Sequence, residues 1–368
     1  MKVNDLNIYR IGCFLYTKAA ESALQDLKVS DESLPEFCVK TCETKNYPVA
    51  ITGSSSGCFC VNTQSLYQAT LIIMSTICFA PVRHLTAWRT RSSDPFCESK
   101  NFFEKSQHNI VGLVSFPGSG NSWLRQMLEM VTGIYTGSVY HDKNLHNTGL
   151  LGELLDWTSG KTLLVKDHLY PDKQETLERY SAIVLLIRNP YHALVAEFNR
   201  RKSQSHTGHA NYSLFWSEGW SSYALSMVDL WKDSISLVLR RKMVTKLVFY
   251  EDLARDQEYE VRNIVNFLNF TKTPYFQRLF CLRTHKAELF KRESKFVQPF
   301  STGLTNHINQ AIKEIRVLLM NFGGKSWKSL PPYERESSDP DALIIQHGVA
   351  RSEGIATKEA RIKRRSGL

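Results

Sequence analysis

The chain lacks any run of about 20 apolar residues, the length a helix needs to cross a bilayer. Its most apolar stretch, Ala69–Ala80, is much shorter. No secretory leader is visible either, because Met1–Arg10 contains no apolar segment. No internal repeat is apparent, which excludes solenoid and propeller architectures. After Cys97 the only cysteine is Cys281. The small-residue loop Pro117–Ser122 contains no lysine, so it is not the Gly-Lys-Ser/Thr loop with which P-loop NTPases hold phosphate and Mg²⁺.

What remains is long enough for two domains: 368 residues with 42% hydrophobic content, which is that of a globular protein. The formal charge of +10 suits acidic ligands such as nucleotides and sulfated or sialylated glycans. Part of that charge lies in Arg351–Leu368, and residues 326–368 read as a disordered basic tail. Seven of the eight cysteines, at 13, 38, 42, 58, 60, 78 and 97, crowd the N-terminal region. Such crowding fits a small disulfide-stapled module made in an oxidising compartment. The spacings Cys38-x₃-Cys42 and Cys58-x-Cys60 are poor for zinc and no histidine falls among them, so no metal is expected. The sequons Asn211-Tyr-Ser and Asn269-Phe-Thr agree with that compartment. A secretory protein without an entry signal points to a chain missing its true N-terminus.

Residues 110–132 carry the strongest functional signal. Ile110–Phe116 is a short apolar run that fits a buried parallel strand. Pro117–Ser122 is a tight turn, and the apolar residues at 123, 124, 127, 128 and 131 have helical spacing. Strand, small-residue loop and helix together point backbone N–H groups and the positive end of a helix at one spot, a site for phosphate or sulfate. Three further apolar strands are predicted at Thr162–Lys166, Ala182–Ile187 and Thr245–Tyr250, separated by amphipathic stretches. That alternation predicts βαβ units and a parallel sheet. Lys166 and His168 sit two residues apart at one strand end, on the same side, where ligands of open parallel sheets bind. A histidine there can take a proton, and a lysine can neutralise charge growing on a leaving group. Arg188, ending the next strand, is placed to fork onto a phosphate.

The block Phe116-Pro-Gly-Ser-Gly-Asn-Ser-Trp123 resembles the 5′-phosphosulfate loop of sulfotransferases, whose donor is 3′-phosphoadenosine 5′-phosphosulfate (PAPS). The family lysine of that loop is Gly118 here. Lys166-Asp-His168-Leu169 resembles the block holding the catalytic base, Arg188-Asn-Pro190 resembles the 3′-phosphate motif, and Val248–Leu253 resembles a further recurrent block. In the 3′-phosphate motif a serine is expected where Ala196 stands, so Asn199 or a basic residue elsewhere would have to supply that contact. Residues 9–62, with Gly12-Cys13-Phe14, Cys38-x₃-Cys42 and Gly57-Cys-Phe-Cys60, resemble the first part of a WSC domain, a family associated with carbohydrate binding.

The whole chain therefore resembles the WSC-domain-containing sulfotransferases. The resemblance implies a P-loop-like α/β three-layer sandwich with a central parallel sheet, preceded by an incomplete cysteine-rich module. The domains would be the module at 9–66, a linker at 67–109 and a sulfotransferase domain at 110–325. It implies His168 as base, Lys166 as stabiliser of the leaving oxygen, and a PAPS site of Gly118, Ser119, Gly120, Asn121, Ser122, Trp123, Arg188 and Tyr250. The loop at His206–Ala210 would face the acceptor, a glycan or glycoprotein for which the resemblance suggests sialic acid; nucleic acid is not expected. Members are Golgi membrane proteins with a lumenal enzyme, so a membrane protein is expected although no anchor is visible. Two alternatives are a catalytically decayed glycan-binding protein, favoured by Gly118 and Ala196, and a kinase of similar architecture, which would need a P-loop lysine and acidic Mg²⁺ ligands.

Overall fold

The computed structural model describes residues 2–3, 8–15, 24, 27–32, 34–53, 57–62, 84–89, 94–107, 109–270, 278–279, 281–284, 298–323 and 329–335. The first sheet is antiparallel, with six strands in the order β1-β2-β6-β4-β5-β3. They are β1 (Lys2–Val3), β2 (Ile8–Leu15), β3 (Lys28–Ser30), β4 (Val49–Gly53), β5 (Gly57–Val61) and β6 (His84–Arg89). Helix α1 (Pro35–Thr44) lies between β3 and β4 in the chain and places Cys38 and Cys42 one turn apart on one face. Cys58 and Cys60 share a face of β5, two residues apart. One helical turn and two strand residues both rise about 6 Å, so the two pairs meet in step, as Cys38–Cys58 and Cys42–Cys60 disulfides. These cysteines are fully enclosed and form the core of the module with Val39 and Ala50. The expected disulfide module is therefore present. His84–Arg89, inside the stretch read as a linker, pairs with β2 and β4. Cys78 and the apolar run at 69–80 lie outside the described residues.

A short helix, α2 (Pro95–Glu98), leads into the second sheet. Its five strands run in the order β11-β10-β7-β9-β8, and every pairing is parallel. They are β7 (Val111–Ser115), β8 (Gly137–Ser138), β9 (Val165–Asp167), β10 (Ala182–Ile187) and β11 (Thr245–Phe249), with α3 (Asn121–Thr132) after β7 and α4 (Lys143–Asn147) after β8. After β10 comes α5 (Pro190–Ser203), then α6 (Glu218–Arg241). After β11 come α7 (Tyr250–Arg255), α8 (Gln257–Phe267), α9 (Cys281–Thr284) and α10 (Thr302–Gly323). Strand alternation divides the core between the two faces. Val114, Leu185, Ile187, Leu247 and Phe249 pack with α5, α6 and α10. Leu113, Val184, Leu186 and Val248 pack with α3 and α8. Each such side chain contributes about 1.5–3 kcal/mol of burial. The result is the expected three-layer α/β sandwich.

The sequence misjudges one part of the C-terminal stretch. Within the residues read as a disordered tail, Leu330 and Tyr333 are buried in the main core, and Arg316 of α10 pairs with Glu334. Two apolar anchors and one ion pair suffice to hold this short strap down. Residues 336–368 lie outside the described residues. The expectation of a membrane protein is corrected: among the described residues no helix is long and apolar enough to cross a membrane.

Candidate functional site

The strand order reverses at β7. Chain following it in sequence builds β8 and β9 on one side, then β10 and β11 on the other. At such a switch point the loops leaving the strand ends part and open a crevice. The carboxyl ends of β7, β9, β10 and β11 bring there the 116–122 loop, His168, Arg188 and Tyr250.

The loop is shaped by two left-handed glycines, Gly118 at φ 77° and Gly120 at φ 91°. A Cβ on Gly118 would lie 2.5 Å from the carbonyl of Ala193 and 2.9 Å from the amide nitrogen of Glu197. Helix α5 therefore packs so closely on the loop that only glycine fits where a lysine was expected. A Cβ on Gly120 would meet the Tyr250 ring at 2.8 Å. Gly120 is the N-cap of α3 and offers no side-chain cap, so the opening N–H groups of the helix keep no side-chain partner. Asn121 ties the helix start back to β7, its Nδ2 donating to the Leu113 carbonyl at 3.3 Å and to Ser115 Oγ at 3.1 Å. Ser119 is buried and its Oγ has no partner; the Nε of Arg188 is likewise buried and unpaired. Two orphaned buried donors facing an uncapped helix start fit an anionic group.

Arg188 donates through Nη1 to the Gly118 carbonyl at 2.7 Å. Its guanidinium stacks 4.0 Å from the centre of the Tyr250 ring, and the Tyr250 and Trp123 rings are 5.6 Å apart. Ser122 follows at the part-buried start of α3. The eight residues expected to hold PAPS thus lie around one loop. Trp231 Nε1 donates to the Arg188 carbonyl at 3.1 Å and fixes this strand end from below.

His168 is pinned from three sides. Its Nδ1 lies 2.7 Å from the Ser115 carbonyl. A carbonyl can only accept, so Nδ1 carries the proton and the Nε2 lone pair is left to take another. Its amide donates to Tyr140 Oη at 2.8 Å, and the Tyr140 ring stacks on the imidazole at 5.3 Å. Burial, reinforced by the Lys166 charge, holds the imidazolium pKa well below its usual value, so the ring is neutral at physiological pH. Lys166 is almost wholly buried, with Nζ 5.4 Å from the Tyr140 ring centre. Burial brings its pKa down to about 8, against the opposing pull of Glu153.

Several positioning residues carry no motif in the sequence. Asp167, fully buried, accepts from Tyr140 Oη at 3.1 Å, the Leu169 amide at 2.9 Å, Tyr180 Oη at 2.9 Å and the Thr176 hydroxyl. It anchors the tyrosine that touches both Lys166 and His168. Glu251 accepts from the Asn189 amide at 3.1 Å and from Tyr333 Oη at 2.5 Å, so it joins the start of α5 to the 329–335 strap. Arg335 of that strap lies 4.4 Å from the Tyr191 ring centre and donates to His192 Nε2 at 3.1 Å. Asn199, considered as a phosphate ligand, instead accepts from the Ala210 amide at 2.8 Å and supports the 206–210 loop. In that loop His206 Nε2 lies 3.3 Å from Asp142 Oδ2.

Residues 109–294, half of the chain, match the sulfotransferase domain family. A WSCD family member of Aedes aegypti is 33% identical over 219 residues, covering 58% of this chain and 67% of that protein. One of Drosophila melanogaster is 35% identical over 193 residues, covering 51% of this chain and 58% of that protein. The chain thus spans about two thirds or less of the length of these relatives. Among solved structures, a sulfotransferase from Alicyclobacillus acidocaldarius is similar with a TM-score of 0.36, 15% identity, 62% of this chain and 100% of that one. A mouse sulfotransferase complexed with PAP gives 0.36 and 17%, covering 62% of this chain and 88% of that one. The fold assignment above rests on strand order, not on these partial overlaps. Taken with the domain match and the insect relatives, that strand order and the four motif blocks at its strand ends lead to one conclusion: the chain belongs to the WSCD family of sulfotransferase-domain proteins.

Proposed function

We propose that the protein transfers a sulfuryl group from PAPS to a hydroxyl of a glycan, with sialic acid the suggested acceptor. The observation that carries this reading is the tautomer of His168: Nδ1–H is spent on the Ser115 carbonyl, so a neutral ring presents Nε2 at the switch point. Gly118, Ser119, Gly120, Asn121 and Ser122 would hold the 5′-phosphosulfate, Arg188 the 3′-phosphate, and Trp123 and Tyr250 the adenine. Arg335, beside His192, stands in reach of the same strand end and would compensate for Ala196. When bound, PAPS supplies sulfur bonded to a phosphate oxygen that leaves with the electron pair. His168 Nε2 takes the acceptor hydroxyl proton as the new oxygen–sulfur bond forms and the old one breaks. Lys166, protonated below about pH 8, neutralises the departing oxygen, a role it would carry without a loop lysine. The chain's own cations and dipoles provide this stabilisation, and the mechanism calls on no metal.

The disulfides support a site of action in the lumen of the secretory pathway, the Golgi by family resemblance. The domain limits 110–325 for the transferase and 9–66 for the module belong to the same proposal. The deciding experiment is titration of the protein with 3′,5′-adenosine bisphosphate beside Arg188→Ala and His168→Ala, followed by transfer from labelled PAPS to sialylated glycans. Binding lost in Arg188→Ala and kept in His168→Ala, with transfer lost in both, is expected. A folded wild-type protein that binds no bisphosphate would sink the reading and favour the decayed glycan binder.

A further inference from the structure

Helix α5 carries a feature that the donor site does not use. Glu197 is completely buried, and its carboxylate accepts from Arg200 through Nε at 2.7 Å and Nη2 at 2.6 Å, and from Arg201 Nε at 2.8 Å. This one carboxylate fixes two guanidiniums at once. Both arginines remain 39% and 43% exposed. The fork of Arg200 that Glu197 grips leaves the Nη1 edge directed elsewhere.

The location of this pair follows from helix geometry. Gly118 abuts α5 at Ala193 and at the amide of Glu197. Arg200 lies three residues further along, about 4.5 Å up the axis and on the same face. That places it past the loop, on the side of the crevice away from Arg188. Tyr170, whose hydroxyl accepts from Arg201 and whose ring is 6.0 Å from that of His168, and Tyr223, whose ring lies 5.6 Å from the Arg201 guanidinium, flank the pair. The Tyr223 hydroxyl is buried and has no hydrogen-bond partner, a donor left waiting in the same corner.

The other charges nearby do not cancel the exposed edges. Glu197 offsets one of the two guanidiniums. Glu153 is paired with buried Arg125, Asp142 caps α4 and holds His206, and Asp167 is spent on hydroxyl and amide donors. Each of these carboxylates is turned to its own partner, whereas Arg200 and Arg201 keep part of each guanidinium open to solvent, next to the Tyr170 that packs near His168.

From this geometry we propose that Arg200 and Arg201, fixed by Glu197, form an acceptor subsite that binds an anionic group of the sugar next to the hydroxyl presented to His168. The inference rests on the sulfotransferase reading of the site and names its acceptor as an acidic sugar. The bidentate guanidinium geometry suits a carboxylate or a sulfate, and the two are separated by the choice of probe.

The test uses the full chain and direct binding, so it does not depend on turnover. The probes are the methyl glycoside of N-acetylneuraminic acid, its carboxyl methyl ester, galactose 3-sulfate and galactose, titrated by ligand-observed NMR in the presence and absence of 3′,5′-adenosine bisphosphate. The expected result is binding of one or both anionic probes, at least tenfold tighter than the matched neutral probe. Arg200→Gln should remove that preference, Arg200→Lys should restore it in part, and bisphosphate affinity should stay within twofold throughout. Arg201→Gln provides a second variant if Arg200→Gln unfolds, and is expected to lower the same preference. Equal binding of charged and neutral probes, no binding of any anionic probe, or a preference that survives both Gln variants overturns the proposal. Loss of bisphosphate binding with the anionic preference intact would overturn the sulfotransferase reading and leave the subsite standing.

Discussion

In the proposed mechanism a single ring nitrogen and a single ammonium set the pH behaviour of the site. There His168 acts only as the neutral ring, and burial holds its pKa well below 6.5, so the acid limb of kcat/KM should lie below pH 6.5. Lys166 acts only while protonated, and its pKa is brought down to about 8, so activity should fall as pH rises through that value. A pH–rate profile for the donor should therefore be a bell, and Lys166→Arg, which stays charged, should lose the alkaline limb. Gly118 gives a second prediction at this scale. Its φ of 77° and the 2.5 Å approach of the Ala193 carbonyl mean that Gly118→Ala should destabilise the fold by roughly 1–3 kcal/mol in urea denaturation. Installing the missing lysine as Gly118→Lys should weaken bisphosphate binding rather than improve it. Here the sequence was readable in part. His168, Lys166 and Arg188 stand in recognisable blocks at the carboxyl ends of β9 and β10, the two strands that flank β7. Tyr140 and Asp167 were not readable, because they act through a contact between residues 27 apart in the chain, and no local pattern encodes that.

At the scale of elements, apolar alternation placed all four predicted strands of the parallel sheet to within a few residues. Two of the displaced boundaries have physical causes. Tyr250 reads as the end of a strand but opens α7, where its ring is needed over Arg188. Thr162–Leu164 read as strand, yet β9 begins only at Val165, because the chain bends at Thr162 and Leu163. A fully buried ion pair between elements lies at that edge. Arg125 of α3 and Glu153 are both fully buried and paired, with Arg125 Nε also donating to Thr136 at 2.7 Å. Glu153→Ala should strand a buried guanidinium and cost about 3–5 kcal/mol, read as a shift in the denaturation midpoint. The double replacement Arg125→Met with Glu153→Leu should cost less than the single one, because no charge is then left unpaired.

For the whole molecule, the disulfides distribute stability unevenly. Cys38–Cys58 and Cys42–Cys60 close short loops, with separations of 20 and 18 residues, inside the N-terminal module. Cys97–Cys281 has a separation of 184 residues and ties the approach to the second sheet to its far end. Arg278 reinforces that tie by donating to the carbonyls of Met130, Phe96, Cys97 and Ser99. Chain entropy gives a crosslink of that span a ceiling of about 5 kcal/mol. Cys97→Ser with Cys281→Ser should therefore lower the thermal midpoint by several degrees while leaving the bisphosphate site intact in the cold, as checked by calorimetry with and without ligand. The sequence announced the crowded cysteines but not this partner for Cys97, since nothing local links positions so far apart.

The close seat of Gly118 against α5 also has a consequence for chemical labelling. Amine-reactive nucleotide analogues that acylate a lysine beside bound phosphates would find none in this loop. Lys166 stands on the neighbouring strand β9, and with a pKa of about 8 a sizeable share of its side chain is the free amine at mildly alkaline pH. An adenosine-based electrophile should thus modify β9 rather than the glycine loop, giving a covalent tag that tells this chain apart from lysine-loop enzymes in a mixture.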